Sequence, residues 1–295
     1  MKKRNIYILL VLTFCFQIAG VQTSWGQAPV EKTLLWEISG NGLTQSSYLF
    51  GTIHILCPEE LQFSKVLTEK LNASKKLVLE LDLSDASLQG QLMAGAMMDN
   101  DTSIAHFFEE STYEILEKNF QILTGIPLAM VSKMKPMMLN SLLIVPMLGC
   151  TPSGWETELL KQANTHSMPV KGLETVEEQL SLFDAVPYRL QAQQLNESLL
   201  RQDSLRASLH DLLEVYRQQD IAKMVDMIEG DNTLKEISSK LLDDRNHRWI
   251  PKLEKEVQSQ PTFIAVGAGH LGGQKGVISL LRKAGYTLSP LEHQN

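Results

Sequence analysis

Cysteine is nearly absent: there are three in 295 residues, and one of them, Cys15, lies in an N-terminal apolar run. The other two, Cys57 and Cys150, are too few for a disulfide scaffold. One bridge is open to them in an oxidising compartment, but spacing does not set their separation. Positive charge is also scarce. Lys and Arg number 27 against 34 Asp and Glu, a net charge of -7, which argues against nucleic acid as a partner. Beyond the N-terminus there is no second apolar span, low-complexity tract or linker. The phosphate loop Gly-x-x-x-x-Gly-Lys-Ser/Thr is missing, so a nucleotide site is not expected. So are the His-Glu-x-x-His helix and the Gly-x-Ser-x-Gly elbow.

What is present begins with a leader. Lys2, Lys3 and Arg4 precede an apolar run from Ile6 to Ala19 and then small and polar residues to Gln27, the pattern of a secretory signal. Residues 1–26 are assigned to it, with cleavage after Gly20 or Gly26, and 27–295 to a single domain. Removing the leader takes three positive charges and no negative ones, leaving -10. The expected location is therefore outside the cytoplasm, in the periplasm or cell envelope. Two alternatives would associate the chain with a membrane: a lipid on Cys15, although Phe14 is ill suited to that processing, and an uncleaved anchor, although the run is short of the roughly 20 residues of a span.

The mature chain is organised around a repeated feature. Tyr48-Leu49-Phe50-Gly51-Thr52-Ile53-His54 and Phe263 to His270 each read as a short apolar strand ending in Gly-x-x-His. A helix follows each, over Glu59–Ala73 and Lys275–Ala284, and then another strand, Leu77–Asp82 or Tyr286–Leu288. Open α/β sheets gather ligands at the carboxyl ends of strands, where both histidines fall. The fold class is α/β: a central sheet built from two strand-loop-helix-strand units flanked by helices, with a mostly helical insertion between them.

Other elements fill in the frame. Thr33–Ile38 alternates, and Ser39-Gly40-Asn41-Gly42 is a turn, so a hairpin feeds the strand at Tyr48. Ser111 to Glu114 and Thr175 to Glu178 read as capping boxes. A short strand over Met168–Leu173 ends at Glu174. Helices run from about Pro187 to Gln258, with Asp220 a cap.

Two imidazoles and a carboxylate suit a divalent cation while leaving positions open for water. His54 and His270 supply the imidazoles, and Glu80, at the end of the strand after His54, is the natural third ligand; otherwise Glu80 is an exposed strand-end acid. Arg245 suits an oxyanion or a substrate carboxylate. On composition alone, a solvated helix face paired to Asp243 or Asp244 is the stronger reading for it.

Together these residues give the chain a resemblance to the TraB/GumN family, which includes the Tiki metalloproteases. It rests on Tyr48–His54, Leu79-Glu80-Leu81-Asp82, Lys135-Pro136, Gly172-Leu173-Glu174-Thr175 with Glu178-Gln179-Leu180, Arg245-Asn246 and Gly267-Ala268-Gly269-His270. Met137 stands where the family often has tryptophan after the Lys-Pro. The resemblance implies an exported metal-dependent hydrolase, a peptidase acting on peptide or protein through metal-activated water. His54, Glu80 and His270 would hold the metal, manganese or cobalt ahead of zinc, and Glu80, Arg245 and Glu174 would serve the chemistry. Two rival functions remain: a haem- or metal-binding protein without turnover, and a metal-free, esterase-like hydrolase using His54 as base.

Overall fold

A computed structural model describes residues 32–230 and 239–293; the leader lies outside the described residues. The first two strands, β1 (Leu35–Gly40) and β2 (Ser47–Thr52), form the hairpin. Gly40, Asn41 and Gly42 all take positive φ at its turn, a conformation glycine adopts freely and asparagine tolerates. β2 is buried along its whole length, as is β5 (Thr262–Gly267) as far as Val266. These two pair in parallel at the centre of a six-stranded sheet. β3 (Lys76–Leu79) and β4 (Val170–Gly172) continue the sheet on one side, and β6 (Tyr286–Leu291) closes it beyond β1, in the order β4-β3-β5-β2-β1-β6. Both β2 and β6 pair antiparallel to β1, and the other neighbours pair in parallel, so β1 alone runs against the rest.

The two predicted units are therefore both crossovers between parallel strands. The first returns past β5 to β3, and the second returns past β2 and β1 to β6. Their helices are shorter than expected. Pro58–Glu60 forms only a 3-10 turn, and the helix proper is Lys65–Ala73, capped by Ser64, whose side chain accepts from the Leu67 N–H. The second helix is Val277–Lys283. The box at Thr175 and Glu178 forms reciprocally. The one at Ser111 does not: that helix, Glu110–Thr124, starts earlier, with Glu109 as its cap.

Between β3 and β5 the described residues form helices joined by loops, with β4 and two isolated bridges, Met97–Met134 and Leu56–Ser153, the latter reaching back to the segment after β2. Part of this insertion has its own apolar cluster around Phe120, Leu128, Leu139 and Leu195. The main core packs on the sheet through Phe50, Phe263, Trp155 and Trp249. Each such side chain contributes roughly 1.5–3 kcal/mol by burial. Among the described residues no helix is long and apolar enough to cross a membrane.

Glu256, on the helix Asp244–Ser259, ties that helix to the sheet by accepting from Lys76 on β3 and Lys171 on β4. Burial works to raise its carboxyl, but the two ammonium hydrogen bonds prevail and hold it below the usual carboxylate range. Its stabilisation is thus complete above the unfolded pKa of about 4.3 and is lost as pH falls through the lowered folded value. Urea unfolding of Glu256→Gln is expected to show a loss of about 1–3 kcal/mol at pH 7, and a shallower fall in stability below pH 4 than the parent.

Candidate active site

Four parallel strands end side by side, and each delivers one functional side chain just past its last residue. His54 follows β2, Glu80 follows β3, Glu174 follows β4, and His270 ends the 3-10 turn Ala268–His270 after β5. β3 and β4 stay in register past their ends, since the Leu173 and Glu174 N–H groups donate to the Leu79 and Glu80 carbonyls. Arg245 reaches over from the first turn of the helix Asp244–Ser259. A π-helical turn, Ser239–Asp243, leads into that helix, and its Leu241 carbonyl accepts from Arg245 Nη1 at 3.1 Å.

The glycine before the second histidine marks where the strand ends converge. A methyl group on Gly267 would stand 3.3 Å from Glu80 Oε1, 3.6 Å from His270 Cδ2 and 3.8 Å from His54 Nε2. Three of the expected site side chains thus converge on one glycine. The Gly267 N–H also donates to Glu80 Oε1 at 2.8 Å.

Arg245 is buried, at 6% exposure, and the solvated-face reading fails. Its Nε and Nη2 donate to Glu174, Nη2 also donates to Glu80 Oε2 at 2.6 Å, and Nη1 reaches Leu241 O and His270 Nε2. Every donor of the fork is engaged within the protein. The guanidinium also lies 4.8 Å from the centre of the Trp249 ring, one helical turn on. The local aspartates take no part; Asp243 pairs with Lys275 instead. Glu80 likewise is no exposed strand-end acid. It is 5% exposed and holds a further contact from Gln179 Nε2 at 3.2 Å. Lys135, of the Lys-Pro pair, is buried and bonds Asp184 at 2.6 Å, at the end of the helix that carries Gln179.

The protonation states follow from this network. Arginine can only donate, so His270 Nε2 accepts and Nδ1 carries the proton, which it donates to Asn246 Oδ1 at 2.7 Å. The Asn246 amide is oriented in turn by donating to the Lys275 carbonyl at 3.0 Å. Burial drives the His270 pKa down to about 3, with Glu80 opposing and Arg245 reinforcing, so the ring is neutral. Burial works to raise Glu80, but the charges of Arg245 and His54 and the Gly267 N–H outweigh it and hold the carboxyl at about 2. His54 is different: its ring is largely exposed and its Nδ1 bonds Glu156 Oε1 at 2.9 Å. That hydrogen bond raises its pKa to about 9, against burial of the surrounding site. Solvent at the ring screens the pair.

Glu156 is the site residue that sequence reasoning missed. It lies in the first turn of the helix Trp155–Thr165, far along the chain from His54, and also accepts from Thr52. The available signal was Gly154, which lets the two segments touch. A Cβ there would lie 2.3 Å from the His54 carbonyl oxygen. Since the backbone at Gly154 is extended and suits any residue, Gly154→Ala tests contact alone. It is expected to cost about 1–3 kcal/mol, which thermal unfolding would check.

The donor chemistry fits a divalent cation. At both histidines Nδ1 is bonded to an oxygen, which leaves Nε2 as the ligating nitrogen, the usual arrangement for metal-bound imidazole. Among the described residues, however, no three His, Cys, Asp or Glu side chains stand in a closed metal-holding cluster. Arg245 stands between them, on Nε2 of His270 and on Glu80.

The α/β sheet thus gathers two imidazoles and two buried carboxylates at adjoining parallel strand ends, beneath a guanidinium from the helix Asp244–Ser259. Residues 34–290 match the TraB/PrgY/gumN family, and the chain belongs to it. It is similar to Metalloprotease TIKI2 of Danio rerio, with 22% identity over 86% of this chain and 60% of the relative. Metalloprotease TIKI1 of Homo sapiens is 24% identical over 86% of this chain and 61% of the relative. The chain thus spans about 60% of the length of these curated relatives. No solved structure matches it.

Proposed function

We propose that this protein is an exported, metal-dependent peptidase whose cation is held by His54, Glu80 and His270. The observation that carries the proposal is the convergence of the His54, Glu80 and His270 side chains on Gly267, with each imidazole bonded at Nδ1. Charge supports it. Glu80 and Glu174 are buried on either side of the Arg245 guanidinium, His270 is neutral, and Arg248 reaches Glu174 only at 3.6 Å from a half-exposed position, so the buried cluster tolerates added positive charge. When bound, a divalent cation supplies Lewis acidity toward a carbonyl and toward water.

The protein's own residues have distinct tasks. Glu80, held near pKa 2, stays ionised and serves as a ligand rather than as a general base at neutral pH. Asn246 and Glu156 fix the two rings. Arg245 holds Glu80, Glu174 and His270 in place, and offering a donor to substrate would require it to give one up. A cavity of about 440 Å³ lined by Ile228, Leu242, Asn246, Gly269, Gly273 and Lys275 adjoins the His270 loop and offers room for a peptide. The Cys57–Cys150 disulfide supports an oxidising compartment, in line with the leader.

Digestion of a peptide library by the purified protein tests this reading. Cleavage should stop with a chelator and return with manganese or cobalt. Undiminished cleavage after complete removal of metal, or no cleavage with any cation, contradicts it.

A further inference from the structure

His54 leaves β2 on a segment that has little to hold it. Its ring is exposed, and among the described residues Glu156 is its one hydrogen-bond partner. The carboxylate end of that pair is well anchored. Trp155, next to Glu156, is fully buried with its ring edge-on to Phe50 at 5.1 Å and Phe63 at 5.3 Å, and Glu156 also accepts from Thr52. The histidine end depends on an antiparallel seam. Leu56 and Ser153 exchange backbone hydrogen bonds at 2.8 and 2.9 Å, the Trp155 N–H reaches the Ile53 carbonyl at 3.5 Å, and Gly154 lies against the His54 carbonyl. The disulfide between Cys57 and Cys150 closes this seam at the end opposite the His54–Glu156 pair. It joins positions 93 residues apart in sequence, and both cysteines are only half-buried, within reach of a thiol.

We propose that the Cys57–Cys150 disulfide is a positioning device for His54, acting through Glu156, so that its reduction by a dithiol switches the site off. A thiolate of the dithiol attacks one cystine sulfur and the S–S bond breaks. The departing cysteine takes a proton, and the second thiol then displaces the mixed disulfide. The protein gains two electrons and two protons, and the reductant becomes a disulfide. The two segments are then joined by a short run of backbone hydrogen bonds, and His54 no longer keeps Nδ1 on Glu156. The consequence for turnover rests on the proposed peptidase reading. The consequence for the His54 ring does not.

The test is a nitrogen-15 spectrum of the histidine rings in the full chain, oxidised, reduced with dithiothreitol, and as the Cys57→Ser/Cys150→Ser variant, together with peptide hydrolysis. Oxidised protein should show His54 with a proton fixed on Nδ1. In the reduced protein and in the double variant that signal should move to the averaged position of a free ring, while His270 stays unchanged on Asn246. Hydrolysis should fall about 10–100-fold, the range for losing a group that orients a ligand. Because the effect runs through Glu156, reduction should cost nothing further in Glu156→Ala. Unchanged His54 signals on reduction overturn the proposal, as does an equal further loss in Glu156→Ala. Loss of the fold by circular dichroism in both the reduced protein and the double variant also overturns it, since the bridge would then be a general staple. If the His54 signals move as expected but no peptide is cleaved in any state, the positioning role stands and the peptidase reading fails.

Discussion

Arg245→Ala is expected to lower the free energy of unfolding by about 3–5 kcal/mol, because it leaves buried charge without its partner. Glu80 and Glu174 are 5% and 7% exposed, and the guanidinium between them bonds both. Truncation also removes the donor to His270 Nε2 and the cation over Trp249. Arg248 approaches Glu174 only to 3.6 Å and is half exposed, so it compensates little. Arg245→Lys keeps the charge but cannot reach Glu80, Glu174, Leu241 and His270 at once, and should fall between the two. Urea titration at pH 7 reads this directly. A loss under 1 kcal/mol for Arg245→Ala would mean that the cluster is not organised by the guanidinium.

The second large effect is on turnover. His270→Ala removes a proposed ligand that is 4% exposed, neutral and fixed at both nitrogens. Peptide hydrolysis should fall by more than the 10–100-fold typical of a group that only orients a ligand, and cation affinity should fall with it. Asn246→Ala is the matched comparison. It leaves the imidazole in place, frees its Nδ1, and should cost only that 10–100-fold. Kinetics and manganese titration of the two variants separate the cases. Equal losses in both would show that His270 contributes position rather than ligation.

Much of this site was legible because its parts are local. β2 and β5 declare themselves as apolar runs, and each carries its histidine just past the end. Glu80 and Glu174 could be placed at strand ends for the same reason. What was not legible depends on segments distant in sequence. The insertion of β5 between β2 and β3 places Glu80 beside Gly267, and no local pattern states that order. Arg245 has Asp243 and Asp244 as sequence neighbours, yet its partners come from β3 and β4. Glu156 looked like an ordinary acidic residue in the first turn of a helix, since its link to His54 exists only through the seam at Leu56 and Ser153. The helix expected from Glu59 has only a 3-10 turn there; Ser64, with a side-chain acceptor, caps the real one.

The proposed function puts one divalent cation among His54, Glu80 and His270. Crystals grown with manganese and measured at its absorption edge test this most directly. One strong anomalous peak is expected about 2.0–2.3 Å from His54 Nε2, a Glu80 carboxylate oxygen and His270 Nε2, with Arg245 drawn back from His270. A map with no peak there and Arg245 still seated on His270 Nε2, or with manganese bound only elsewhere, would contradict it.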